Sequence, residues 1–175
     1  MNNFRLLTLI GAIFFIAVGI RAPLFTLYLE QTLGADYGRI SLILSSYVAL
    51  LLLVNYGWGR FSDWLGRRKP MIVGGLLFLA FTNLLLGQVT NVNWAWLVYL
   101  VEAVGVGAYN TLSLALMGDV LDDEAAGNRQ DQRGRNMGFY RGLGSLAFAL
   151  GAVLGGQIAD LYNLPSIFML CSLLC

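Results

Sequence analysis

The sequence predicts an all-α polytopic membrane protein, a helix bundle built around long uncharged runs. Three observations carry this. Hydrophobic residues make up 58% of the 175 positions and charged residues only 12%. That is about half the charged share of an ordinary soluble domain, so a soluble core would lack polar surface to cover it. Ile40 to Trp58 and Met71 to Val89 hold no charge, and each matches the roughly 20 apolar residues of a spanning helix. Finally, 21 glycines against three prolines suit helices that approach closely in lipid, where small residues take over the packing role.

Six helices follow in order. After a short polar start with Arg5, helix 1 is predicted over about 6–29 and carries Arg21 and Pro23. Gly34-Ala35-Asp36 is a turn signal, and helix 2 runs over about 40–58. The mostly basic island Gly59 to Pro70 then reads as a tight turn at a membrane face. Pro70 suits the first turn of helix 3, about 70–89, and Asn91-Val92-Asn93 is a minimal turn. Helix 4, about 94–117, carries Glu102, and 118–136 is the longest polar loop, expected in the cytoplasm. Helix 5 spans about 137–158, and helix 6 is expected over 166–175. Ten residues rise about 15 Å against about 30 Å of hydrocarbon, so this last helix is expected to be truncated and the chain to be a fragment.

The charges orient the bundle. The faces holding the N-terminus and the 2–3 and 4–5 connections carry Arg5, Arg60, Arg67, Arg68, Lys69, Arg129, Arg133 and Arg135, and the opposite face carries Arg39. The positive-inside bias makes the first face, with the N-terminus, cytoplasmic. The plasma (inner) membrane is the expected location. Three helices follow three, so the second triplet is inverted. Gly59-x-x-x-Asp63 closes helix 2 and Gly156-x-x-x-Asp160 closes helix 5 on the other side, an echo that suits a three-plus-three inverted repeat.

Several chemistries are excluded. The chain has no histidine, which removes imidazole relays and Ser-His or Cys-His catalysis. Cys171 and Cys175 stand one helical turn apart without other ligands, so no metal site is expected. No enzyme constellation, cofactor or nucleic-acid partner is expected either. The aromatics Trp58, Trp64, Trp94 and Trp96 fall at the predicted membrane faces, as a belt would.

The island holds the first candidate site. Asp63 at the end of helix 2 and Asp119 at the end of helix 4 both face the negative end of a helix dipole and need cations. Arg60, Arg67, Arg68 and Arg141 are nearest. Together they form a candidate latch, with Gly59 for close packing and Gly66 for a tight reversal. A plain positive-inside anchor is the simpler alternative.

Gly59-x-x-x-Asp63-x-x-Gly66-Arg67-Arg68-Lys69 resembles the signature loop of the major facilitator superfamily. Arg133 to Arg141 resembles that family's approach to helix 5, Asp119 its acidic end of helix 4, and Gly151-Ala152-Val153-Leu154-Gly155-Gly156 the glycine-rich motif of its antiporters. The resemblance implies the amino-terminal half of a twelve-helix fold, with a missing carboxy-terminal half. It also implies transport of a small-molecule solute by alternating access, with a proton as a candidate coupling ion and the bilayer as surroundings. Trp64 stands where a basic residue is usual, Ala152 where the antiporter motif has proline, and Val101 where helix 4 often has arginine. Antiport and arginine-based proton coupling are therefore not implied.

Two charges fall inside predicted spans. Arg21 and Glu102 each lie about eight residues, roughly 12 Å, below the outer end of their helix. Such charges face an interior or a water-filled cavity and mark ion or substrate paths. The expectation is a shared water-filled cavity, with Glu102 as a proton or cation site and Arg21 as its partner or an anion anchor. A structural ion pair is the alternative. Tyr109 and Asn110 are the next candidates for a polar pathway, ahead of Asn55, Tyr56, Asn83 and Thr111. Gly134, Gly138, Gly142, Gly151, Gly155 and Gly156 read as helix packing. The rival reading from another class is a small self-contained membrane scaffold or regulatory subunit without transport activity.

Overall fold

The computed structural model describes residues 3–125, 130–161 and 164–174. Among these residues there are six α-helices and no strand. Helix α1, Asn3–Leu27, runs through Pro23 into a π-helical turn, Tyr28–Thr32. Then follow α2, Tyr37–Leu65; α3, Arg68–Leu86; α4, Val92–Ala125; α5, Gln130–Leu161; and α6, Leu164–Leu174. The first five are long and apolar enough to cross a membrane. The bundle is apolar outside and partly polar inside. Leu53 is 71% exposed and Val153 62%, whereas Arg21, Glu102, Thr82 and Asn83 are buried. That inversion suits a lipid surround.

The helices are longer than hydropathy predicts. Residues Gly59–Leu65 of the island continue α2 rather than forming the turn. They contain no proline, and charge alone does not end a helix. The turn is confined to Gly66 and Arg67. Gly66 sits at φ +64° and its N–H donates to the Ser62 carbonyl at 2.9 Å, a left-handed cap that glycine adopts without a Cβ clash. α3 therefore starts at Arg68, leaving Pro70 in its first turn. α2 also starts early, at Tyr37, because Asp36 accepts from the Arg39 N–H at 2.7 Å and caps it. The expected loop 118–136 is corrected likewise: α4 continues to Ala125 and α5 begins at Gln130. Arg129 and Cys175 lie outside the described residues. Hydropathy marks where a helix leaves lipid, not where its hydrogen bonds stop. Asp119 thus lies within α4 rather than at its C-terminus.

The packing has an internal symmetry. α1 packs on α5 as α2 packs on α4, and α3 packs on α4 as α1 packs on α6. α1 also meets α4, and α3 meets α6. Exchanging α1–α3 with α4–α6 leaves these partners unchanged, as an inverted repeat requires, while the α4–α5 contact has no counterpart of its size between α1 and α2. The α1–α5 contact is the closest. A Cβ built on Gly19 would strike the Phe148 carbonyl, one on Gly151 the Ile16 carbonyl, and one on Gly155 the Ile20 carbonyl oxygen, at 2.7 Å in the last case. These glycines let two backbones touch. Gly156, Gly134, Gly138 and Gly142 meet nothing within 4 Å, so their expected packing role is not seen within this bundle.

Candidate functional site

Arg68 is the hub of the first site. As the opening residue of α3 it forms an ion pair with Asp119 of α4, approaches Asp63 of α2 at 3.3 Å, and donates to the Ala115 carbonyl at 3.1 Å. One guanidinium thus ties three helices at one end of the bundle, beside an open cleft of about 520 Å³ that Arg67, Lys69 and Leu116 also line. The carboxylates are exposed, with 71% and 54% of the Asp63 and Asp119 side chains accessible. Exposed pairs are worth about 0–1 kcal/mol each. Such a contact holds a geometry but separates readily.

The sequence reading of this cluster needs three corrections. Arg67 occupies the cap position of α3, exposed and, among the described residues, without an ion pair; of the two adjacent arginines only Arg68 meets the aspartates. The left-handed turn at Gly66 sets that register, which two adjacent arginines cannot reveal by themselves. Gly59 is not a close-packing point, since a Cβ there would be 3.8 Å from Thr111. Arg141 is not near the two aspartates; it lines a separate groove on α5. Arg60 lies over the Tyr56 ring at 5.7 Å and donates to its hydroxyl.

The second site is the pair of membrane-depth charges. Arg21 and Glu102 meet directly, both buried, joining α1 to α4. The face of Tyr99 lies 5.6 Å from the Arg21 guanidinium carbon. Tyr99 is itself stacked between Phe25 and Tyr47 at 4.0 and 4.1 Å. The void beside the pair measures about 10 Å³ and is closed by Phe14, Leu79, Asn83 and Cys171, room for one water at most. The expected shared water-filled cavity is therefore absent among the described residues, and the two charges form a nearly dry interior pair. The pairing of the two charges was legible in the sequence. The facing was not, because α3 and α6 close over the pair.

A third site was only half anticipated. Asn110 and Ser113 of α4 face Tyr140, Arg141 and Ser145 of α5 across a groove of about 350 Å³, with Phe15 of α1, Leu114 and Phe148 as apolar walls. Tyr109, expected beside Asn110, instead lies in the core, stacked on Phe14 at 3.8 Å. Adjacent residues on a helix point about 100° apart, so only one of the pair can face the groove. Ser113 and Ser145 were missed, yet their spacings from Asn110 and Arg141, three and four residues, place them on the same faces.

Of the remaining polar candidates, Asn55 and Thr111 join helices, as do two of the tryptophans. Thr111 donates to the Asn55 side chain at 3.3 Å, Trp58 to the Val104 carbonyl at 2.9 Å, and Trp96 to Ser46 at 2.9 Å. Asn83 is buried and bonded within α3. Trp64 and Trp94 are exposed, as a belt requires.

An apolar-surfaced bundle of symmetric triplets, with charges kept inside or near its two ends, defines an integral membrane protein of the polytopic helical class. The Major Facilitator Superfamily model matches residues 7–175, and the chain belongs to that family. It is similar to an uncharacterised MFS-type transporter of Methanocaldococcus jannaschii, 29% identical over 159 residues, 91% of this chain and 39% of that protein. It is also similar to Citrate exporter 1 of Aspergillus niger, 24% identical over 139 residues, 79% of this chain and 25% of that one. With multidrug resistance protein MdtL of Klebsiella pneumoniae it shares 26% over 140 residues, 80% of this chain and 34% of that one. The chain thus spans between 25% and 39% of the length of these relatives.

Proposed function

We propose that this chain is the amino-terminal bundle of a secondary transporter that moves a small solute across the plasma membrane by alternating access. The observation that carries the reading is the three-helix tie at Arg68. Rocking of one bundle against another needs a body that stays rigid and a surface contact that breaks. The buried Arg21–Glu102 pair and the glycine contact of α1 with α5 supply rigidity. The exposed Asp63–Arg68–Asp119 contact supplies the breakable latch. The Lys/Arg bias supports a cytoplasmic side for this latch and the N-terminus.

The relatives' names, a citrate exporter and a multidrug resistance protein, support a small-molecule cargo without choosing one. A proton is the coupling ion to test first, with Glu102 as the deeply buried carboxylate. Protonating it requires the Arg21 pair to open. The test is solute flux in proteoliposomes of the full-length protein, with and without an imposed pH gradient. Flux of at least one solute that Arg68→Ala lowers supports the reading. Absence of flux across anionic, neutral and cationic solute panels overturns it.

A further inference from the structure

Resting on the transporter reading, we propose that the α1/α4/α5 groove is a solute subsite for a monocarboxylate with an apolar body, and that Arg141 is its anchor. Arg141 lies four residues inside the apolar run that begins at Met137, about 6 Å along the helix. A cation at that depth is costly unless it is paired or hydrated. Among the residues whose side chains are described no carboxylate pairs with it: Asp63 and Asp119 belong to Arg68, Asp122 to Arg133, and Glu102 to Arg21. The guanidinium instead borders a groove of about 350 Å³, within the usual range of small-molecule sites.

The lining selects the ligand. Its charged member is a single arginine, whose planar fork matches a carboxylate. Asn110, Ser113 and Ser145 add neutral hydrogen-bonding groups, and Phe15, Leu114 and Phe148 form apolar walls. An organic cation would meet Arg141 head-on. A small polyanion would leave charge unmatched and the aromatic walls empty. One carboxylate on an apolar body satisfies both halves of the groove.

The test is equilibrium binding of radiolabelled 2-naphthoate and its uncharged isostere 2-naphthamide to the full-length protein in nanodiscs, with empty nanodiscs subtracted and tetraphenylphosphonium as the cationic probe. A charge-assisted contact corresponds to about tenfold or more in affinity. The acid should therefore bind at least about tenfold more tightly than the amide. Arg141→Gln should abolish that preference and Arg141→Lys should retain only part of it, with amide binding unchanged by either. Because Arg141 is exposed, both variants should fold, which size-exclusion profiles check. Absence of saturable naphthoate binding, equal binding of acid and amide, or a preference that survives Arg141→Gln overturns the proposal. If tetraphenylphosphonium or another solute is transported while naphthoate is not bound, the subsite fails and the transporter reading stands. If no solute moves at all, the transporter reading fails as well.

Discussion

Arg21 of α1 and Glu102 of α4, 81 positions apart, form an ion pair buried between two helices that the internal symmetry of the bundle exchanges. Removing one partner leaves the other charge unpaired in the interior, which costs about 3–5 kcal/mol. Arg21→Gln and Glu102→Gln should each lower the unfolding free energy of the full-length protein in micelles by about that amount. The double variant Arg21→Met/Glu102→Leu should lose far less than the sum, since a buried pair exchanged for apolar groups of similar size is often near neutral. Strictly additive losses would show that the two charges are not coupled.

The same double variant separates structure from coupling. If Glu102 carries the transported proton, its flux should lose pH dependence even where its stability is near that of the unaltered protein. Uptake and pH profile unchanged from those of the unaltered protein would remove Glu102 from the mechanism.

Close backbone contact makes the α1–α5 interface intolerant of single carbons. Gly151→Ala and Gly155→Ala would each place a Cβ against a carbonyl of α1 that cannot swing aside, and should destabilise by about 1–3 kcal/mol, as overpacking does. Gly156→Ala meets open space and should be neutral, or stabilising by up to about 1 kcal/mol through helix propensity. Denaturation midpoints of the three variants check the contrast.

At Gly66 the backbone rather than the space is the constraint. The site is open, but φ is +64°, a conformation costing L-residues about 1–2 kcal/mol. Gly66→Ala should destabilise by that amount and Gly66→Asn by less, because asparagine tolerates left-handed caps. Both should lower transport more than Gly156→Ala, since this turn sets which arginine begins α3.

Much of this was legible in the sequence, and the failures share one cause. Composition and uncharged runs locate helices because the bilayer demands apolar length. The island motif locates the Asp63–Asp119 cluster because acids at one membrane face need cations. What depends on helix phase was hidden. Arg67 and Arg68 are neighbours in sequence, but a turn between Gly66 and α3 gives only Arg68 the reach to both aspartates. Tyr109 and Asn110 are neighbours too, one stacked in the core and the other in a groove. Arg21 and Glu102 were singled out as a pair, but nothing local said that Asn83 of α3 and Cys171 of α6 would close the space beside them.

The proposed latch at Arg68 is tested most directly by cytoplasmic access to the separate groove between α4 and α5. On a cysteine-free background of the full-length protein in proteoliposomes, Ser145→Cys reports from the groove, and an impermeant maleimide is added from the cytoplasmic side. An exposed ionic tie is worth about 1 kcal/mol, and losing that much from the closed state raises a minor open state about fivefold. Arg68→Ala should therefore label about fivefold faster and transport more slowly, while Arg67→Ala stays near the unaltered rates. Unchanged labelling and flux in Arg68→Ala, or an equal effect from Arg67→Ala, would contradict a latch centred on Arg68.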